Sequence, residues 1–296
     1  MPQSSELNLR TVGTALPLVV VSVAYHSQSA LASLAVDLGR HQGGISRWIV
    51  VDQAPRSAPL DPGPLRQRLG QVPLLVLQGE QGDGFGAGCN RGFEYLQQVG
   101  YTGWIWLLNP DTSLPQGDEA QQLLEALGEL PPQAVVGTAV QDSTGTIEPS
   151  AGWLDPGLNF RRRKVSTADS LRHEPLQLDW LSGCSLVLQP TAHQPPARFD
   201  PCFPLYYEDM DLGLRLAEQG APVLWLPQVV VSHQKGEGSV TPTGRRIELS
   251  TISYLRFLRS HCPPWVSQLR QLRLLLSALL RPRRASAIWR GFKRAC

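Results

Sequence analysis

The chain has 296 residues, 42% apolar and 18% charged, with a formal net charge of +2. That balance fits a soluble α/β protein with one large core or two smaller ones, and it excludes a disordered or collagen-like chain. Five cysteines without CxxC spacing argue against a zinc site or a disulfide framework and for a reducing compartment.

In chain order, residues 1–15 read as a loose tail. Leu16–Ala24 is β-branched and apolar and predicts a buried strand. Ser27 is placed to cap a helix over Ala30–Leu38. Strands follow at Arg47–Val51 and Val72–Leu77, then a helix at Cys89–Val99. A strand at Trp104–Leu108, a helix at Asp118–Leu127 and a strand at Ala134–Val140 complete the alternating series. Such alternation implies βαβ units and a mostly parallel sheet. Residues 141–177 read as loop, including the basic run from Arg161 to Lys164. Trp180–Leu188 reads as a strand, Glu208–Gln219 as a helix, and Val223–Leu226 and Val229–Val231 as two short strands. Helices at Arg245–Arg259 and Trp265–Leu280 close the chain.

Ligands of an open parallel sheet gather beyond the carboxyl ends of its strands. Three predicted strand ends carry polar groups: Tyr25-His26, Asp52, and Asn109-Pro110-Asp111. The segment GDGFGAGCNRG (82–92) reads either as a phosphate cradle built on Gly84, Gly86 and Gly88 or as a simple glycine-rich loop. It follows the third strand, which weakens a dinucleotide fingerprint. YYEDMDLGLR (206–215) places Glu208, Asp209 and Asp211 in one helical turn, where acids favour the helix dipole. The aromatic residues before them would raise carboxylate proton affinity, which suits a general base. His233 follows an apolar strand and is a candidate metal ligand.

Taken in order, these segments resemble the family 2 inverting glycosyltransferases, in particular the rhamnosyltransferase-like branch. The matching residues are Tyr25-His26, Val51-Asp52-Gln53, Gly84 to Gly92, Asn109-Pro110-Asp111, Gly183-Cys184, Phe199 to Phe203, Glu208 to Arg215, and His233 followed by Gly236, Gly238 and Ser239. The resemblance implies an α/β GT-A fold: a single Rossmann-like, mostly parallel sheet with an acceptor-side α/β extension and C-terminal helices. It divides the chain into the tail, a glycosyltransferase domain over 16–260 and a basic amphipathic helical segment over 261–296. It implies sugar transfer with inversion from a nucleoside diphosphate donor, such as dTDP-rhamnose or a UDP-sugar, to a glycan or lipid-linked saccharide. By that resemblance Tyr25, Asp52, Gly84, Phe85, Asn90, Asn109 and Asp111 hold the donor. Asp111 and His233 hold Mg²⁺ or Mn²⁺, and Asp209 is the base. Gly183, Cys184, Glu208, Asp211 and Arg215 lie on the acceptor side. His26, Gln53, Cys89, Cys184 and Pro201 depart from the usual pattern.

Two other readings compete. A sugar-1-phosphate nucleotidyltransferase would carry a basic glycine-rich loop directly after the first strand, where Tyr25-His26-Ser27 stands. An inactive glycan- or nucleotide-binding relative would not need Asp111 and Asp209.

From Pro263 to Cys296 there is no Asp or Glu, while arginines crowd among leucines and two tryptophans. A basic end of this kind points to an anionic partner. The expected partner is an anionic membrane surface rather than nucleic acid, with the alternative that a terminal helix docks on the domain. With no leader pattern and no run of 18 apolar residues, the expected location is cytoplasmic, peripheral on the inner face of a membrane.

Overall fold

The computed structural model describes residues 18–41, 43–154, 162–234, 242–280 and 282–295. The expected tail, the start of the first strand, Arg161, and Gly236, Gly238 and Ser239 lie outside these residues.

The first half alternates as expected: β1 Leu18–Ala24, α1 Gln28–Arg40, β2 Ile45–Asp52, α2 Gly63–Arg66, β3 Leu74–Gln78, α3 Phe85–Gln98, β4 Ile105–Leu108, β5 Thr112–Ser113, α4 Glu119–Gly128 and β6 Val135–Gln141. Then come β7 Ala151–Leu154, β8 Arg162–Lys164, α5 Thr167–Ser170, β9 Leu176–Gln177, β10 Trp180–Leu181, β11 Ser185–Leu188, α6 Glu208–Glu218 and β12 Val223–His233. Three helices close the described chain: α7 Thr243–His261, α8 Pro264–Leu279 and α9 Pro282–Ala295.

The main sheet runs β3-β2-β1-β4-β11-β6-β12-β5, with β9 alongside β12. β1 to β4 are parallel, and β6 pairs parallel with β12. β11 lies antiparallel between β4 and β6. Apolar residues on both faces pack under helices, which explains why these strands are continuously hydrophobic rather than alternating.

Polar residues buried between strands have partners. The Trp48 indole N–H donates to Ser22 Oγ at 3.0 Å, and the Trp106 N–H to Ser185 Oγ at 2.9 Å. Thr138 Oγ1 bonds Ser185 Oγ at 2.7 Å, and Trp225 Nε1 donates to the Thr138 carbonyl. A tryptophan inside a sheet needs such an acceptor, and these serines and threonine supply it.

Three expectations are corrected. Trp180–Leu188 is two strands, because the turn Ser182-Gly183-Cys184 breaks it and sends β10 into a small sheet of order β10-β7-β8. Its strands β7 and β8 and a tight turn lie within the stretch expected to be loop; Asp142 Oδ1 accepts from the Thr144 and Thr146 N–H groups there, and Gly145 sits at φ +80°. Val223–Leu226 and Val229–Val231 form one strand whose register shifts between Leu226 and Val230, where Pro227 removes a ladder donor.

Candidate active site

The end of β4 and the end of β12 are brought together by one short pairing. β5 begins directly after Asp111, and Thr112 pairs with His233. The Gln234 N–H donates to the Asp111 carbonyl at 2.9 Å. Asp111 Oδ2 therefore faces His233 Nε2 at 3.3 Å. The other ring nitrogen, Nδ1, faces Glu148 at 3.4 Å. Glu148 arrives because the 142–146 turn folds the chain back along β6, where its N–H donates to the Val140 carbonyl. Asp111 holds the proton affinity of His233 above the ordinary imidazole value, burial opposes this, and Glu148 adds to the rise.

A partly exposed carboxylate and an imidazole suit Mg²⁺ or Mn²⁺, which favour oxygen ligands and accept histidine. No cluster of three metal-capable His, Cys, Asp or Glu occurs among the described residues. A two-residue site of this kind leaves coordination positions for diphosphate oxygens and water. The donor set fits a cation shared with a substrate. Glu148 occupies the place of an outer carboxylate that fixes the histidine ring. Sequence reading missed it, since it falls in an irregular stretch with no periodicity.

The second cluster is built on the first turn of α6. Tyr206 and Tyr207 enter it at φ +66° and +70°, a left-handed conformation rare for bulky residues and found where local structure is over-determined. The three acids then diverge. Asp211 is buried and bonded to Arg215 Nε at 2.7 Å and His261 Nε2 at 2.8 Å; Arg215 also donates to the Arg198 carbonyl. Asp211 and Arg215, expected on the acceptor side, thus tie α6 to α7 and to the loop before α6. Glu208 is buried; desolvation first, then Asp209, pushes its carboxyl up to about 8. Burial, then the charge of Glu208, also raises the Cys89 thiol well above its usual value. Asp209 is the partly exposed acid. Its Oδ2 accepts from the Gly183 N–H at 3.0 Å and its Oδ1 from the Met210 N–H at 2.8 Å.

Asp209 and Glu208 line a cavity of about 500 Å³ walled by Trp180, Tyr206, Tyr207, Tyr254 and Leu274. Trp180 Nε1 and Glu208 Oε2 are buried without a hydrogen-bond partner among the described residues. Aromatic walls with a few unsatisfied polar atoms are the usual character of a small-molecule site.

The turn at 182–184 joins the two clusters. Gly183 holds Asp209, and the next residue, Cys184, accepts from the Asn109 N–H at 3.0 Å, two residues before Asp111. Gly183 must lack a side chain, because a Cβ would lie 2.6 Å from the Phe85 ring.

Several expected donor residues have other work. Gly84, Gly86 and Gly88 open α3 without left-handed backbone, and a Cβ on them would meet the Pro204 carbonyl, Phe199 and Val23 at 2.6–2.7 Å. They are close-packing positions that let α3 lie against its neighbours. Asn90 clamps Phe199, donating to its carbonyl at 2.8 Å and accepting from its N–H at 2.9 Å. Asp52 is buried, with both oxygens accepting backbone N–H groups, of Ala54 at 3.0 Å and Leu60 at 2.8 Å. It shapes the loop after β2. Tyr25 is half-buried after β1, with His26 edge-on to its ring and in left-handed backbone at φ +53°.

Solved structures share this fold at low identity. A complex of GalNAc-T7 with UDP, GalNAc and Mn²⁺ superposes with a TM-score of 0.54 at 12% identity, over 88% of this chain and 54% of that one. Staphylococcus aureus TarS with UDP-GlcNAc gives 0.52 at 14% identity, over 85% and 69%. A Pyrobaculum calidifontis mannosyltransferase with GDP-Man and Mn²⁺ gives 0.51 at 14% identity, over 91% and 73%. This is the GT-A glycosyltransferase fold. No protein-family model matches the chain. Among curated proteins, it is 27% identical over 176 residues to the N-acetylglucosaminyl-diphospho-decaprenol L-rhamnosyltransferase of two Mycobacterium tuberculosis strains. The match covers 53% of this chain and 57% of each relative, so the chain spans little more than half the length of the relatives it matches.

Proposed function

We propose that the chain is an inverting glycosyltransferase that moves a sugar from a nucleoside diphosphate to a hydroxyl of a lipid-linked saccharide. The observation that carries this reading is the connection of Asp209, on the wall of the aromatic cavity, to the Asp111–His233 pair through one turn. Asp111 and His233 would hold the divalent cation beside the donor diphosphate. When bound, that cation supplies charge neutralisation for the departing nucleotide.

Asp209 would take the acceptor proton as the hydroxyl attacks the anomeric carbon from the face opposite the diphosphate. The carbon–oxygen bond to the diphosphate breaks as the new one forms, so one base suffices and no enzyme nucleophile is required. The Gly183 and Met210 N–H groups would orient the carboxylate for this transfer. Glu208 stays protonated at neutral pH, and Asp211 is held in its ion pairs, which leaves Asp209 as the acid for this work. The aromatic walls suit a saccharide ring. L-Rhamnose as donor sugar and a polyprenyl diphosphate sugar as acceptor are carried over from the mycobacterial relatives' name.

A transfer assay over dTDP-, UDP- and GDP-sugars with Mn²⁺ or Mg²⁺ tests the reading, with lipid-linked GlcNAc as acceptor. Metal-dependent turnover that chelator abolishes is expected. Tight binding of a nucleotide sugar with no transfer and no hydrolysis would assign the chain to the inactive binders instead.

A further inference from the structure

Helix α8 turns an apolar stripe outward. Trp265, Leu269, Leu272, Leu276 and Leu279 recur at spacings of four and three, which puts them on one stripe about 80° wide on a helix of 3.6 residues per turn. Every one of them is exposed, between 46% and 79%, and Leu280 follows at 84%. The face turned to the domain carries Ser267, Gln271, Leu274 and Ala278, with Val266 as its buried anchor. An amphipathic helix in a water-soluble fold buries the opposite stripe. A contiguous apolar patch of this kind marks an interaction surface.

The charge around the stripe selects its occupant. Arg273 lies on α8, and Arg283 and Arg284 open α9; all three are exposed and have no ion-pair partner among the described residues. The other arginines of α9 are used differently. Arg290 and Arg294 bind Glu248 of α7 at 3.0 and 2.8 Å, and Gly291 lies where a Cβ would touch Thr251. So α9 docks on the domain while α8 shows leucines flanked by cations. A second copy of the chain would match the apolar stripe yet bring like charges together. An anionic lipid surface matches both.

We propose that α8 is a peripheral membrane anchor that seats its Trp265–Leu279 stripe in an anionic lipid surface, with Arg273, Arg283 and Arg284 among the headgroups. The inner side of the same helix contributes Leu274 to the cavity that holds Asp209. One helix thus joins the lipid surface to the proposed acceptor cavity. That last link rests on the glycosyltransferase reading; the surface binding does not.

The test is co-sedimentation of the full chain with vesicles of phosphatidylglycerol and phosphatidylcholine, without donor or acceptor. The protein should partition onto the anionic vesicles and come off as salt is raised. Leu272→Glu with Leu276→Glu should reduce partition at least ~tenfold with an unchanged circular dichroism spectrum. Neutralising the three arginines should weaken anionic binding by about fivefold per residue. If the double glutamate variant fails to fold, the arginine variants and the salt titration on the unaltered chain decide. Equal binding to pure phosphatidylcholine would overturn the proposal. So would absence of vesicle binding together with a concentration-dependent dimer that the leucine substitutions dissociate, which would show that a second copy covers the stripe. Failure of sugar transfer with intact vesicle binding would strike only the catalytic reading.

Discussion

Asp111 and Asp209 are both carboxylates beside the turn at 182–184, yet they are held by different kinds of partner. Asp111 faces a histidine side chain that a second carboxylate holds from behind. Asp209 is fixed by two backbone N–H groups. A side-chain pair can open to admit a cation between its members. Backbone donors cannot leave, so they set the direction of the carboxylate on the wall of the cavity. The difference is the ground on which we propose binding for the first cluster and proton transfer for the second.

Separate substitutions should divide the two roles. Asp209→Asn keeps the size of the side chain, gives up one of its two backbone N–H bonds and removes the base; turnover should fall roughly a hundredfold or more with donor affinity nearly intact, read by steady-state kinetics beside calorimetry. If Asp209→Asn retained full rate, the comparison would collapse, and Glu208 would become the candidate base. Asp111→Asn should raise the donor KM at least ~tenfold in the presence of Mn²⁺, while donor binding read by calorimetry without Mn²⁺ should change little. A milder effect is expected at Glu148→Gln, where manganese affinity should drop by about tenfold because the His233 ring loses its orienting partner. Direct metal titration reads this without any turnover.

Two further predictions concern the frame around the acids. Gly88→Ala would push a methyl group against Val23 and Gln53 and should cost about 1–3 kcal/mol of stability, seen as a lower denaturation midpoint. Donor binding should survive under conditions where the variant is folded, which a phosphate cradle would not allow. Glu208 keeps its proton up to about pH 8 in the folded chain but loses it in the ordinary carboxylate range when unfolded. The folded state therefore binds more protons across that window, and Glu208 lowers stability as pH rises through it. Glu208→Gln should flatten the dependence of the urea midpoint between about pH 5 and about pH 8.

Strand ends were legible in the sequence because a buried parallel strand is a continuous apolar run and its polar terminus stands out, as at Leu108-Asn109. The acid turn at 208–211 was equally visible. Apart from the family resemblance, nothing in the sequence separated the acid on the cavity wall from the one held in ion pairs, since that depends on His261 arriving from α7 to join Arg215 on Asp211. The glycines of α3 were ambiguous for a related reason: a missing side chain serves a phosphate or a neighbouring side chain equally well, and the sequence did not show the packing against Val23 and Phe199. Glu148 carried no local signal, because the hairpin that delivers it leaves no periodic pattern. The α8 stripe was fully readable at 265, 269, 272, 276 and 279. Its outward direction was not, because periodicity shows that a face exists and not which way it turns.

The account depends most on the two acids bordering one cleft. Manganese relaxation of ¹³C-labelled aspartate carboxyl resonances, with a nucleoside diphosphate present, tests this directly. The predicted result is selective broadening of the Asp111 and Asp209 signals together, abolished for Asp209 by Asp111→Asn. An Asp209 signal that stays sharp while Asp111 broadens would contradict it.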